Sequence, residues 1–256
     1  MLLAIDIGNS NISVGLFDRQ KELKFLASID TDSRKTADQI SIDLMNLFIL
    51  YGCDIRQVSG AILSSVVPPM NFMMEKALTR LLGKPPMVVG AGIKTGLDIR
   101  IDDPAELGAD LVVGAVGALA IAPPPLILID MGTATTIFAV GEGNQFLGGA
   151  IIPGVVLGLK ALAGGTSQLV NVNAAPPKKC ISTNTVTCMQ SGAIYGAAAM
   201  IDGMVERMEE ELGKKANVIA TGGLAGTVIP YCKREIRNEP ELLLKGLAIL
   251  WEKNRK

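Results

Sequence analysis

Three short apolar runs open the chain, LLAIDIG at 2–8, ISVGLFD at 12–18 and LKFLASI at 23–29, separated by turns carrying Gly, Asn or charged residues. Such runs, bounded by turn formers, predict an antiparallel meander. The period then changes. Between Thr36 and Tyr51 the apolar residues Ile40, Leu44, Leu47 and Phe48 recur at three- and four-residue spacing, which predicts a helix with one buried face. A buried strand over 60–67, a helix from Pro68 and Pro69 to about Leu82, and a strand over 86–90 complete this set.

The same grammar recurs. LILIDMG at 126–132, TTIFAVG at 135–141 and QFLGGAII at 145–152 predict a second meander, followed by helices over 154–165 and 190–212. A strand over 218–223 runs into a glycine turn, and a helix is predicted over 240–252. Each meander begins with an apolar strand ending in Asp-x-Gly, at Asp6 and at Asp130, about half a chain length apart. This recurrence predicts an internally duplicated α/β protein with halves 1–117 and 118–256, each a mixed sheet with flanking helices, and a cleft between them. The polar, Pro-containing stretch from Gly165 to Thr185 is expected to be a loop reaching across that cleft or to a partner subunit.

Composition narrows the function. With 24 basic and 25 acidic residues the net charge is −1, so no broad basic field is expected for nucleic acid. The chain has no histidine, which removes Ser-His-Asp and Cys-His mechanisms and most catalytic zinc sites. Cys53, Cys180, Cys188 and Cys232 show no CxxC spacing, in keeping with reduced thiols and a cytoplasmic protein. The first residues read as a strand of the fold and not as a signal peptide. Leu111 to Ile129 carries no charge, yet Gly114, Gly117 and Pro123 to Pro125 split it into a buried helix and a strand, so no membrane span is expected.

DIGNSN at 6–11 places a carboxylate at a strand end, then a glycine, then small hydrogen-bonding side chains. A phosphate-binding hairpin has this form: Gly8 lets the backbone approach, Asn9, Ser10 and Asn11 offer donors, and Asp6 suits magnesium. An ordinary β-turn uses the same residues. DMGTATT at 130–136 repeats the arrangement, and two such hairpins suit a nucleotide triphosphate gripped from both sides. ATGG at 220–223 fits a glycine turn that leaves room for a flat base.

From Leu107 to Gly141 the only charged residues are Asp110 and Asp130. Asp103, Pro104 and Glu106 form a capping signature, predicting a helix from Pro104 to about Ala122 with Asp110 inside it. An isolated carboxylate on an apolar helix should face a cleft, a cation or a donor, and there it would deprotonate an alcohol. The alternatives are a bond to a neighbouring helix, or a solvated face shared with Glu106 one turn away.

With DIGNSN, Gly108-Ala109-Asp110, DMGTATT, GGAIIPG at 148–154, NTVTCMQSGAIYG at 184–196 and ATGG in this order, the chain resembles the type III pantothenate kinases along nearly its whole length. These belong to the acetate kinase, sugar kinase and actin superfamily, whose halves are ribonuclease H-like. The resemblance implies ATP-dependent phosphorylation of pantothenate, the first step of coenzyme A synthesis, with Mg2+ and a monovalent cation, K+ or NH4+, in a cytoplasmic homodimer. It implies that Asp6, Ile7, Gly8, Asn9, Ser10, Asn11, Ile12 and Ser13 bind ATP phosphates, that Thr133 contacts ATP, that Asp110 is the proton acceptor and that Asp130 ligates potassium. It places residues 101, 108–111 and 185 in the pantothenate pocket, here Ile101, Gly108, Ala109, Asp110, Leu111 and Thr185. Two of these depart from the family, which usually carries Tyr at the position of Ile101 and Arg at that of Leu111. Both changes remove groups suited to a carboxylate and an amide, which keeps open a kinase of another small hydroxylated metabolite. Relatives named Bvg accessory factors keep open a non-catalytic regulator.

Overall fold

The structure, a computed structural model, describes residues 1–255. The opening runs form β1 (Leu2–Ile7), β2 (Asn11–Phe17) and β3 (Leu23–Asp30), an antiparallel meander as the alternation predicts. Helix α1 (Ala37–Leu50) starts at Thr36, whose hydroxyl accepts from the Gln39 backbone while the Gln39 side chain accepts from the Thr36 backbone. Next come β4 (Gly60–Ser65), α2 (Pro68–Leu82) with its prolines at the permissive first positions, and β5 (Met87–Val88). A two-residue strand, β6 (Asp98–Ile99), precedes α3 (Ala109–Leu119).

This region corrects the predicted helix over 104–122. Asp103 does act as a cap, accepting from the Ala105 N–H at 2.9 Å, but it caps a single 3-10 turn at Pro104–Glu106. The chain then leaves helical geometry at Leu107, and α3 starts afresh behind Gly108, whose carbonyl accepts from Val112 N–H. Asp110 therefore lies in the first turn of α3 and not in a helix interior, and it forms no helical i,i+4 pair with Glu106.

The second series runs β7 (Leu126–Met131), β8 (Ala134–Gly141), β9 (Gln145–Pro153), α4 (Val155–Gly165), α5 (Thr185–Leu212), β10 (Asn217–Thr221), the short α6 (Ala225–Val228), β11 (Arg237–Asn238) and α7 (Leu242–Asn254). Helix α5 begins five residues before the predicted 190, because the Asn184 side chain accepts from Thr187 N–H at 3.0 Å and caps it there. Residues 166–184 carry no helix or strand. Among the described residues no helix is long and apolar enough to cross a membrane.

The chain divides into two units. The first comprises Met1–Gly96, Asp103–Gly117 and the stretch from Leu242 onward; its sheet has the order β3-β2-β1-β4-β5, with β4 and β5 joining in parallel. Leu3, Ile5 and Ile7 of β1 share a core with Ile40, Leu44 and Phe48 of α1 and Met70 and Met74 of α2. Helix α7 covers β1, β2 and β4, setting Leu244 against Gly15 and Trp251 against Gly60. It also passes against α3 so closely that a Cβ on Gly246 would lie 2.1 Å from the Val113 carbonyl oxygen. The second unit comprises Leu97–Asp102 and Ala118–Glu241, with strand order β11-β10-β7-β8-β9-β6. Read from β9, its run β9-β8-β7-β10-β11 repeats the first sheet strand for strand and direction for direction, and β6 is an addition at the β9 edge. The core beneath it joins Ile127, Ile129 and Met131 of β7 to Ile194, Ala198, Ile201 and Val205 of α5.

Candidate active site

In the first unit, pairing of Asp6 with Ser13 and of Ile7 with Ile12 leaves Gly8, Asn9, Ser10 and Asn11 as the turn. The Gly8 N–H donates to the Asn11 carbonyl at 3.0 Å and closes the turn, on which Asn9, Ser10 and Asn11 are exposed. Asp6, the penultimate residue of β1, is buried, 7% exposed, and Ile12 is buried behind the turn. Thr31, just past β3, braces the turn twice: its hydroxyl donates to the Gly8 carbonyl at 2.7 Å and its N–H to the Ser10 carbonyl at 2.9 Å. Sequence reasoning missed Thr31, since nothing in a lone threonine after a strand points to a turn 23 residues earlier.

The second unit repeats the device with a turn one residue shorter. Asp130 pairs with Thr136 and Met131 with Thr135, and the Gly132 N–H donates to the Ala134 carbonyl at 3.0 Å. Asp130 is half-buried and Thr133 is exposed at the tip. Two further motifs converge here. Gly154, the last residue of GGAIIPG, donates to the Thr133 carbonyl at 3.2 Å, and a Cβ on it would stand 2.3 Å from that oxygen. Gly222 of ATGG has φ +93° and seats so tightly that a Cβ would lie 2.5 Å from Asp130 Oδ1 and 2.6 Å from the Met131 backbone. Side chains at either glycine would fill the space beside the turn and the carboxylate.

Asp110 is half-buried at the start of α3, and its Oδ1 accepts from the Leu111 N–H at 2.8 Å. Burial raises its pKa above the ordinary carboxylate value; the bonds from the Leu111 and Asp110 backbones oppose that and are outweighed. A carboxylate with a raised pKa is a stronger base than an exposed one, and the N-terminus of α3 favours its ionised form. Gly108, Ala109, Asp110 and Leu111 follow one another into α3 of the first unit, whereas Ile101, against Gly148, and the exposed Thr185, first residue of α5, belong to the second.

Among the described residues no three His, Cys, Asp or Glu side chains gather into a metal cluster. Asp6 at a buried strand end fits magnesium bound through one carboxylate and the substrate phosphates. Asp130, flanked by the Cα atoms of Gly132 and Gly222, fits a larger cation that needs room for several oxygens.

A sheet of this order occurring twice, each copy opening with an Asp-x-Gly hairpin, defines the duplicated fold of sugar kinases and actin-like ATPases. Solved structures share it: a 2-dehydro-3-deoxygalactonokinase from Sinorhizobium meliloti (TM-score 0.57, 10% identity, 100% of this chain and 97% of that one), and a Baf family transcriptional activator from Campylobacter jejuni (TM-score 0.62, 17% identity, 98% of each chain). The chain belongs to the type III pantothenate kinase family, which matches residues 2–207. It is 42% identical to the type III pantothenate kinase of Moorella thermoacetica, over 99% of this chain and 100% of that one, and 41% identical to that of an Exiguobacterium species over 100% of both.

Proposed function

We propose that the protein transfers the γ-phosphoryl group of ATP to the primary hydroxyl of pantothenate, giving 4'-phosphopantothenate for coenzyme A synthesis. The observation that carries this reading is Asp110: a carboxylate with a burial-raised pKa at the head of α3, in a chain whose family match spans residues 2–207. Asp110 orients the hydroxyl and takes its proton as the phosphorus–oxygen bond forms. The DIGNSN turn holds phosphate through Asn9, Ser10 and Asn11, with Thr31 fixing its shape. Thr133 contacts ATP from the second hairpin. Asp6 would hold magnesium and Asp130 potassium or ammonium, whose positive charge would offset the phosphate oxygens. Gly108, Ala109, Leu111, Ile101 and Thr185 line the pantothenate site, and the active form is a cytoplasmic homodimer.

A second reading, a kinase of another hydroxylated metabolite, is favoured by one feature, the apolar Ile101 and Leu111 where the family usually carries Tyr and Arg. Incubation with ATP, magnesium, potassium and a panel of hydroxylated acids and amides, with products identified by mass, separates the two. A phosphorylated pantothenate product supports the first reading. Product from another acceptor only establishes the second.

A further inference from the structure

We propose that Cys180 and Cys188 form a reversible disulfide, a thiol modification site that ties the irregular segment 166–184 to the first turns of α5. Both thiols are exposed. Ser191 stands one turn beyond Cys188 on the same face of α5. Its buried hydroxyl donates to the Cys180 carbonyl at 2.6 Å and lies 3.8 Å from Cys180 Sγ. From the other side, the Cys188 thiol donates to the carbonyl of Ser182, two residues past Cys180, at 3.4 Å. Each sulfur is therefore already held against the neighbourhood of the other. The connection over 181–184 has no helix or strand, so its rotation brings the sulfurs to bonding distance while α5 stays intact.

The remaining thiols are worse candidates. Cys53 is half-buried and donates to the Tyr51 carbonyl at 3.6 Å. Cys232 is half-buried, and burial, then the charge of Asp202, push its thiol up to about 11, which keeps it protonated and slow in exchange.

The oxidant is a low-molecular-weight disulfide. One cysteine thiolate attacks it, forming a mixed disulfide and releasing one small thiol; the second cysteine thiolate then attacks the protein sulfur of that mixed disulfide and releases the other. Two S–H bonds and the small disulfide are lost, one protein S–S bond forms, and two electrons and two protons end on the two released thiols. Thr185 lies within the ring so closed, and its backbone is fixed in the oxidised form. The inference stands whatever acceptor the kinase uses.

The test is thiol mapping of the full chain after exposure to oxidised glutathione, with N-ethylmaleimide blocking and tryptic digestion. Cleavage after Lys179 and after Arg207 puts both cysteines on one peptide. The expected result is loss of two of the four alkylatable thiols, with that peptide two hydrogens lighter and restored by dithiothreitol. Cys180→Ser and Cys188→Ser should each instead leave one glutathione on the surviving thiol. Alkylation of both residues in the parent, glutathione on each of them, or a disulfide-linked dimer on a non-reducing gel would overturn the proposal.

Discussion

Asp110 concentrates the competition between stability and chemistry in one side chain. Its folded pKa is raised by burial, so it contributes stability below its unfolded pKa and loses that contribution as pH rises through the folded value. At neutral pH the ionised group is a cost to the fold and, in the proposed role of base, an asset to the reaction. Asp110→Asn should therefore lower turnover by about 10²–10⁴-fold. Its melting temperature at neutral pH should equal or exceed the parent's, with the gap closing as the medium is acidified. The acid limb of the parent's kcat/KM should lie above the ordinary carboxylate range. Near-parental turnover in the variant would remove Asp110 as the base. The isolation of this carboxylate was legible in the sequence; its exact setting was not, because Asp103, Pro104 and Glu106 satisfy a helix-start signature that one 3-10 turn fully uses.

The hairpins were readable as elements because apolar strands ending in Asp-x-Gly make their own register, with six matched pairs in both β1·β2 and β7·β8. What braces them was not, since Thr31, Gly154 and Gly222 reach the turns from distant positions. Thr31→Val keeps the shape and the backbone bond but removes the bond to Gly8, worth about 1 kcal/mol. Initial-rate kinetics should show a several-fold rise in the KM for ATP with the KM for pantothenate unchanged; equal rises in both would mean that the turn does not hold ATP. A second element-level device is Glu209 on α5, 4% exposed. It accepts from Lys215 Nζ at 2.8 Å and Ala216 N–H at 2.9 Å and is paired with Arg234, joining α5 to the start of β10. Burial alone would raise its pKa, but the bonds from Lys215 and Ala216 and the Arg234 charge outweigh it, so the carboxyl ends below its ordinary value. Its contribution is present above the unfolded pKa and fades as pH falls through the folded one. Glu209→Gln should cost about 2 kcal/mol at neutral pH by denaturant titration and progressively less in acid. A constant difference across pH would contradict this account.

At the scale of the molecule, duplication was visible because the repeat of Asp-x-Gly strands needs no tertiary information. β5 was legible as the apolar run over 86–90, whereas β11 and the added β6, each two residues long, carry no periodicity and were missed. Nor does a helical pattern say which sheet it covers, so the return of α7 to β1, β2 and β4 appears only in the fold. The first unit is thus completed by α7, which covers the sheet that carries Asp6. The most direct test of the central claim is pantothenate-dependent ADP release by the full chain with ATP and magnesium, in potassium and then in sodium alone. Steady turnover that requires both pantothenate and potassium, and that falls by about a hundredfold or more in Asp110→Asn, is the predicted result. A folded, ATP-binding protein that releases no ADP with pantothenate in either salt would contradict it.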